Sequence, residues 1–325
     1  MLLSRFLPAL LLALGLNLNP ITDAQARAVA PAPLQVTNLA PAFAEFWDQT
    51  QDLPMTERVA RFKQQIASQF PEFYAAARLQ KDDAEKLQDE RIAAAIRAFP
   101  AIRTQYLQKS AEFAAKLEQN LQRFQQTFPD FRSRPPIYVL HSLGEMDGGT
   151  REFQGQTYLI FGIDGMVRYH QGNDEAPFFD HELFHVYHER FLKSCKHEGL
   201  WLPLWQEGLA VYVSQVLHPQ ASYNELLLDI PAGVVSQTEA QMGKALDDLE
   251  GALDSTDQQR YAALFNFRQD ASGLPARRGY YLGYLIARDS GRTHHLGTLA
   301  KMNCEQAEQT VREAIPRLRD QYRSR

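Results

Sequence analysis

Hydrophobic residues recur at helical spacing through the first part of the chain. Between about residues 38 and 128 they lie three or four positions apart, which is the period of an amphipathic helix. Two such stripes are Val59, Phe62, Ile66, Phe70 and Phe113, Leu117, Leu121, Phe124, Phe128. Pro71 and Pro100 are expected to end or kink these helices, because proline lacks the amide hydrogen. The pattern predicts an N-terminal helical region over 38–130 with about four or five helices.

The pattern changes after the segment PDFRSRPP at 129–136. Short strand-like runs follow at 137–140 and 157–163, and the stretch between them is rich in glycine and turn-forming residues. A long hairpin or an edge-strand loop is expected to join the two runs. After residue 175 the helical period returns and continues to the end of the chain. These features predict an α+β fold that is mainly helical, with a small sheet, in a second domain over 135–325.

The first residues have the layout of a secretory signal peptide. A positively charged start, MLLSRF, precedes about ten apolar residues, and small-x-small cleavage sites follow at 24–26 and 28–30. The apolar stretch is too short for a membrane span, which needs about 20 residues. We therefore predict a signal peptide over 1–26, with cleavage possible as late as residue 30, and a periplasmic or secreted protein that is not inserted in a membrane after cleavage.

The composition is that of a soluble globular protein, with 45% hydrophobic and 22% charged residues. A formal net charge of −5 and the absence of a long run of like charges give no indication of a nucleic-acid partner or of binding to an anionic membrane. The two cysteines, Cys195 and Cys304, are an even pair in a chain predicted to be exported, so we expect them to form a disulfide; two unpaired buried thiols are the alternative.

The segment His181-Glu182-Leu183-Phe184-His185 has the pattern HExxH. Residues four positions apart lie about 6 Å apart along a helix and on nearly the same face, so both imidazoles can reach one metal ion. Glu182 lies beside that ion, where it can accept a hydrogen bond from a bound water without being a ligand. The motif by itself also arises by chance, so the surrounding sequence has to support it.

Glu207 is the first candidate for a third ligand. It stands in Leu204-Trp205-Gln206-Glu207-Gly208-Leu209, an apolar helical stretch in which an unpaired carboxylate is costly. Together with His181 and His185 it makes the two-His, one-Glu set that binds catalytic zinc, with the fourth position open to water. A structural salt bridge is the alternative role for Glu207.

Two other residues compete with Glu207. His188 lies on the same helix face as His181, but about 10.5 Å along the axis, which is too far for three rings to share one ion. Glu198 stands in a similar context, HEGLW, but in the segment that connects the two predicted helices. We favour Glu207 over both.

Three motifs in the order HELFH, EGLA and Gly279-Tyr280-Tyr281-Leu282-Gly283-Tyr284 resemble the gluzincin zinc peptidases. Within them, the chain is similar to the bacterial predicted Zn-dependent proteases with EGLA-like and GYxxGY motifs, over roughly residues 137–300. The resemblance implies a zincin-like metallopeptidase domain with an active-site helix and one zinc ion per chain. It implies the ligands His181, His185 and Glu207, with Glu182 as the catalytic base.

The resemblance also implies a role for a tyrosine. In related peptidases a downstream Tyr or His donates a hydrogen bond to the oxyanion, and Tyr280 is the first candidate here, with Tyr284 one turn later; packing in the core is the alternative for both. Many gluzincins have an Asp four residues after the ligand Glu, whereas this chain has Val211. Another group must then orient a metal-bound histidine, and Asp180 is one possibility.

We therefore predict an exported zinc metallopeptidase that hydrolyses peptide bonds in a peptide or protein substrate. A zinc-bound water, activated by Glu182, would attack the peptide carbonyl. The alternatives are a non-catalytic exported binding protein on a zincin-like fold and a zinc hydrolase of a non-peptide bond.

Overall fold

The described part of the chain is mainly helical and contains one small sheet. The structure is a computed structural model, and it describes residues 35–132, 135–195 and 199–324. The predicted signal peptide and its cleavage sites lie outside these residues, as does Glu198. All of the described residues belong to one compact unit. Within them, no helix has both the length and the apolar character that a membrane span requires.

In the N-terminal half, residues 35–132 contain four α-helices. They are α1 (Ala40–Thr50), α2 (Met55–Gln65), α3 (Pro71–Tyr74) and α4 (Ala84–Thr127), and short 3-10 turns flank α3. Every residue of the two predicted apolar stripes is buried, which confirms their role in the core. Pro71 lies in the first turn of α3, where its missing amide hydrogen costs nothing.

Pro100 lies inside α4, which continues on both sides of it for 44 residues in all. Of the two expected effects of Pro100, ending a helix is therefore wrong. Proline cannot donate a hydrogen bond to the carbonyl of Ile96, one turn earlier. The indole Nε1 of Trp47 in α1 donates to that carbonyl instead, at 2.9 Å. A tertiary contact thus replaces the hydrogen bond that proline removes from the helix.

Four strands form the sheet in the order β1-β2-β4-β3. They are β1 (Val36–Asn38), β2 (Ile137–Leu140), β3 (Gly148–Phe153) and β4 (Gln156–Gly162). Strands β1, β2 and β4 are parallel, and β3 pairs with β4 in an antiparallel hairpin. The predicted runs at 137–140 and 157–163 are therefore neighbours in a parallel pair and are not joined as a long hairpin. The glycine-rich connection between them contains the edge strand β3, which was the other expectation.

The remaining helices follow β4. They are α5 (Ile163–His170), α6 (Ala176–Leu192), α7 (Trp201–Leu217), α8 (Val234–Ala240), α9 (Met242–Ala252), α10 (Gln258–Phe265), α11 (Arg278–Ser290), α12 (Leu296–Leu299) and α13 (Cys304–Arg323). The helix α4 packs against α5 and α6, and Phe113 of α4 contacts the rings of Phe161 and Phe179. The segments before and after residues 130–135 thus share one core.

A disulfide joins Cys195, just after α6, to Cys304 at the start of α13. The sequence separation is 109 residues and the Cα atoms are 5.4 Å apart. The predicted cysteine pairing is confirmed. The bond ties the end of the helix that carries HELFH to the C-terminal helix.

Candidate metal centre

The helix α6 brings the two histidines of HELFH together. The Nε2 atoms of His181 and His185 lie 2.8 Å apart, and each side chain is largely buried, with 14% and 19% of its surface exposed. This follows from the helix itself, since residues four apart project from one face. Both rings point into a cleft of about 410 Å³ that is bounded by β3, α6, α7 and α11.

Glu207 of α7 completes a group of three potential ligands. Its Oε2 lies 3.3 Å from Nε2 of His181 and 3.3 Å from Nε2 of His185. Ligand atoms around a tetrahedral zinc with bonds of 2.0–2.1 Å are separated by about 3.4 Å. The donor set fits that ion, and so do the two distances to Glu207, whereas the 2.8 Å between the two histidine nitrogens is shorter than this spacing. Of the described residues, these three form a group that can hold a metal ion.

The sequence context of Glu207 suggested that its side chain faces the apolar core. The structure shows instead that it does not. Its side chain is 24% exposed and lines the cleft, whereas Trp205 and Leu209 on the other faces of α7 are buried. The apolar residues next to Glu207 in the sequence pack on other faces of α7 and do not enclose its carboxylate. Glu207 is thus available to a ligand that enters the cleft.

The electrostatics couple the three groups. Burial lowers the pKa of His185, but the carboxylate of Glu207 outweighs that effect and raises the pKa to about 9. Burial and the neighbouring His185 lower the pKa of His181. The two histidines hold the pKa of Glu207 well below its usual range, although burial opposes this. The site is therefore arranged around an ionised carboxylate that favours positive charge between the two rings.

Glu182 lies beside this group, and its pKa is shifted in the opposite direction from that of Glu207. Burial raises the pKa of its carboxyl group to about 8, against the opposing effect of His185, and the negative charges of Asp147 and Glu207 raise it further. Its Oε2 is buried and has no hydrogen-bond partner within the described part of the chain. A buried carboxylate oxygen without a donor is costly, and a water on the adjacent metal would supply that donor.

The edge strand β3 forms one wall of the cleft directly against α6. A Cβ atom added to Gly148 would lie 2.5 Å from the ring of Phe178 and 3.2 Å from Cγ of Glu182. Only glycine allows the strand to approach the helix this closely. The residue before it, Asp147, also lines the cleft and accepts a hydrogen bond from Nε2 of His170 at 3.2 Å.

The structure separates the two candidate tyrosines. Tyr280, in the first turn of α11, lines the cleft, and burial followed by the charge of Glu207 raises its pKa well above the usual value. A neutral hydroxyl in the same cleft as the three ligand atoms is able to donate a hydrogen bond. Tyr284 does not line the cleft; it is buried, and its ring contacts Arg288 and Tyr281. Packing is therefore the role that the structure gives to Tyr284.

The other candidates are not part of the metal-binding group. His188 is buried and its ring stacks on Phe184, and burial lowers its pKa to about 3. Asp180, considered as a partner for a metal-bound histidine, is buried and accepts a hydrogen bond from Nε2 of His218 at 2.6 Å. Neither residue lines the cleft.

Asp147 and Arg277 are among the cleft residues that were not singled out from the sequence. Asp147 stands in the glycine-rich connection, where nothing in the local pattern marks it as part of a site. Arg277 stands shortly before the GYxxGY motif, lines the cleft and has a left-handed backbone, with φ of 65°. Such a conformation in a residue other than glycine is not readable from sequence.

No family model, curated protein or solved structure matches this chain. The resemblance to the gluzincins, based on three short motifs, therefore stays a prediction.

Proposed function

We propose that this protein is a zinc-dependent peptidase with a zincin-like domain. The observation that carries the proposal is the convergence of His181, His185 and Glu207 within 3.3 Å of one another in an open cleft. Glu182, with a buried and unpartnered carboxylate oxygen, lies next to them. This is the donor set of catalytic zinc, with a candidate base already in place.

The edge strand β3 supports a peptide as the substrate. Within the described sheet β3 pairs only with β4, so one edge of β3 has no strand beside it, and residues 148–151 line the cleft. An extended peptide can add to such an edge through main-chain hydrogen bonds. The strand β4 is paired on both sides by β2 and β3 and has no free edge.

The chemistry proposed for the chain's own residues follows from their positions. Zinc, when bound by the two histidines and Glu207, would polarise the peptide carbonyl and lower the pKa of a water to about 7. Glu182 takes the proton of the attacking water and passes it to the leaving amine nitrogen. Tyr280 donates a hydrogen bond to the carbonyl oxygen as negative charge develops there.

The first test is the zinc content of the purified protein, with four variants. We expect about one zinc per chain in the wild type, and its loss in His185→Ala and Glu207→Ala. Glu182→Gln is expected to keep zinc and to lose hydrolysis. Glu189→Gln is the matched control for zinc content, because this residue lies on α6 and lines the cleft but is not in the metal-binding group.

The outcomes separate the alternatives. A wild type that binds no zinc, even after reconstitution, contradicts the proposal and favours a binding protein. If the protein binds zinc but hydrolyses only esters or other non-peptide bonds, it is a different kind of zinc hydrolase. Cleavage of peptides that is lost in Glu182→Gln supports the peptidase.

Export to an oxidising compartment is a further part of the proposal. The disulfide between Cys195 and Cys304 supports it, because such bonds form and persist mainly outside the cytosol. N-terminal sequencing of the mature protein tests it. We expect the mature chain to begin after residue 26 or as late as after residue 30, and an intact Met1 on the exported form would contradict it.

A further inference from the structure

Arg277 differs from the other charged groups that line the cleft. Most of those groups have a partner of opposite charge or a hydrogen bond: Arg151 pairs with Glu145 at 3.5 Å, and Ser222 donates to the carboxylate of Glu225. Over the described parts of the chain, Arg277 has no ion pair, and its Nε is buried without a hydrogen-bond partner. It is therefore a cation in the cleft that has no carboxylate partner among the described residues.

Aromatic rings hold the guanidinium in place. The Arg277 Cζ lies 4.5 Å from the ring centroid of Tyr280 and 4.9 Å from that of Phe267. The Phe267 ring is stacked in turn on Tyr169, 5.8 Å away. Cation–π contacts orient the charge and compensate it only in part, since a ring offers no lone pairs to the guanidinium N–H groups.

The backbone around Arg277 also fixes its position. Its φ of 65° is a left-handed conformation that costs free energy in any residue with a Cβ atom. The amide of Arg277 donates to the carbonyl of Ala263 at 3.0 Å, and its own carbonyl accepts from the amide of Tyr280 at 3.3 Å. The residue is the N-cap of α11, whose N-terminus adds partial positive charge at the same place.

We propose that Arg277 binds a carboxylate group of the substrate, so that the cleft selects peptides that carry a carboxylate near the bond to be cleaved. A guanidinium matches a carboxylate with two parallel N–H···O bonds, and a peptide offers that group at its C-terminus or on Asp and Glu side chains. Because Tyr280 lines the cleft one turn from Arg277, the recognised group lies close to the proposed reaction site. The inference rests on the proposed peptidase function.

The test uses four peptides that share one sequence. The first has a free C-terminus and the second a C-terminal amide; the third and fourth are amides with a single Glu or Gln. We expect the zinc-loaded wild type to cleave one carboxylate peptide about tenfold or more faster, in kcat/KM, than its neutral match. A preference for the free C-terminus over the amide assigns the C-terminal carboxylate, and a preference for Glu over Gln assigns an acidic side chain.

Variants connect this preference to Arg277. In Arg277→Gln the ratio is expected to fall to about one, and Arg277→Lys should give an intermediate ratio because it keeps the charge without the fork. Arg151→Gln is the matched control: it removes a cation that lines the same cleft but is already paired, and it should keep the preference. Zinc content and thermal melting check that each variant folds.

Binding distinguishes failure of the inference from failure of the proposed function. The dissociation constants of the four peptides are measured on zinc-loaded Glu182→Gln, with and without Arg277→Gln, by isothermal titration calorimetry. Tighter binding of a carboxylate peptide that depends on Arg277 supports the inference even if the wild type hydrolyses nothing. Three outcomes overturn the inference. They are cleavage by the wild type without a carboxylate preference, an equal loss of kcat/KM on all four peptides in Arg277→Gln, and the absence of peptide binding.

Discussion

Gly208 and Gly283 touch backbone to backbone where α7 and α11 cross. A Cβ atom added to Gly208 would lie 2.1 Å from the carbonyl carbon of Gly283, and one added to Gly283 would lie 2.4 Å from the carbonyl oxygen of Leu204. Both glycines belong to motifs of the sequence, EGLA and GYxxGY. Their contact brings the helix that carries Glu207 against the helix that carries Tyr280, and so assembles two walls of the cleft.

Replacement of Gly208 by alanine is expected to push these helices apart. Because the added methyl group meets backbone atoms, no side chain can move to make room, and we expect a loss of about 3 kcal/mol or more in the free energy of unfolding. Zinc affinity should fall as well, since Glu207 is the preceding residue. Urea denaturation and a competitive zinc titration measure the two effects.

Gly243→Ala is the control for this substitution. A Cβ at Gly243 meets nothing within 4 Å, and the residue lies in the helix α9. Alanine there should keep or raise stability by up to about 1 kcal/mol. Equal effects of the two substitutions would show that the helix crossing is not closely packed.

Tyr280→Phe is expected to lower kcat by about 100-fold, the typical loss when one oxyanion donor is removed. Zinc content should stay the same, because Tyr280 is not in the metal-binding group. Tyr284→Phe, one turn later on α11 but outside the cleft, is the matched control and should retain kcat. Similar losses in both variants would point to a general effect on α11 instead of hydrogen bonding by Tyr280.

The contribution of the Trp47–Ile96 hydrogen bond to the free energy of unfolding should depend on Pro100. In Trp47→Phe the carbonyl of Ile96 loses its donor, which we expect to destabilise the fold by about 1–3 kcal/mol. In a Pro100→Ala background, the amide of residue 100 can donate to that carbonyl, so Trp47→Phe should cost about 1 kcal/mol less. A double-mutant cycle by urea denaturation gives the coupling. Equal costs in both backgrounds would contradict this account of how α4 passes through a proline.

Asp130 should make stability depend on pH in the acidic range. Burial alone would raise the pKa of its carboxyl group, but hydrogen bonds from Lys301, Tyr187 and Arg190 lower the pKa to about 2. Since the folded-state pKa lies below the ordinary value near 4, the ionised form stabilises the fold above about pH 4, and this contribution is lost as the pH falls towards 2.

The measurement for Asp130 is the melting temperature between pH 2 and pH 6, for wild type and Asp130→Asn. The variant should melt lower than wild type at pH 6, and the difference should shrink as the pH falls. Because the side chain is 44% exposed, the difference should also decrease at high salt. A constant difference across this range would mean that the carboxylate charge is not the cause.

The fold was predictable where the sequence has a regular period. The stripes Phe113 to Phe128 and Val59 to Phe70 are periodic, and all of these side chains are buried. An edge strand was one of the two expectations for the glycine-rich connection, but the bounds of β3 were not predicted, because Gly148 and Gly149 interrupt the alternation that marks a strand. The passage of α4 through Pro100 depends on Trp47, which lies 53 residues earlier in the chain and is not part of any local pattern.

The sequence by itself determined the part of the site that one helix carries. His181, Glu182 and His185 are neighbours on α6, so their spacing is set by the helical period. The tertiary structure alone decided the rest. Glu207 lines the cleft and does not face the core, and Tyr280 lines the cleft whereas Tyr284 is buried. Asp147 and Arg277 line the cleft as well. These outcomes depend on close helix packing and on backbone conformations such as that of Arg277, and such contacts between distant segments leave no periodic signal in the sequence.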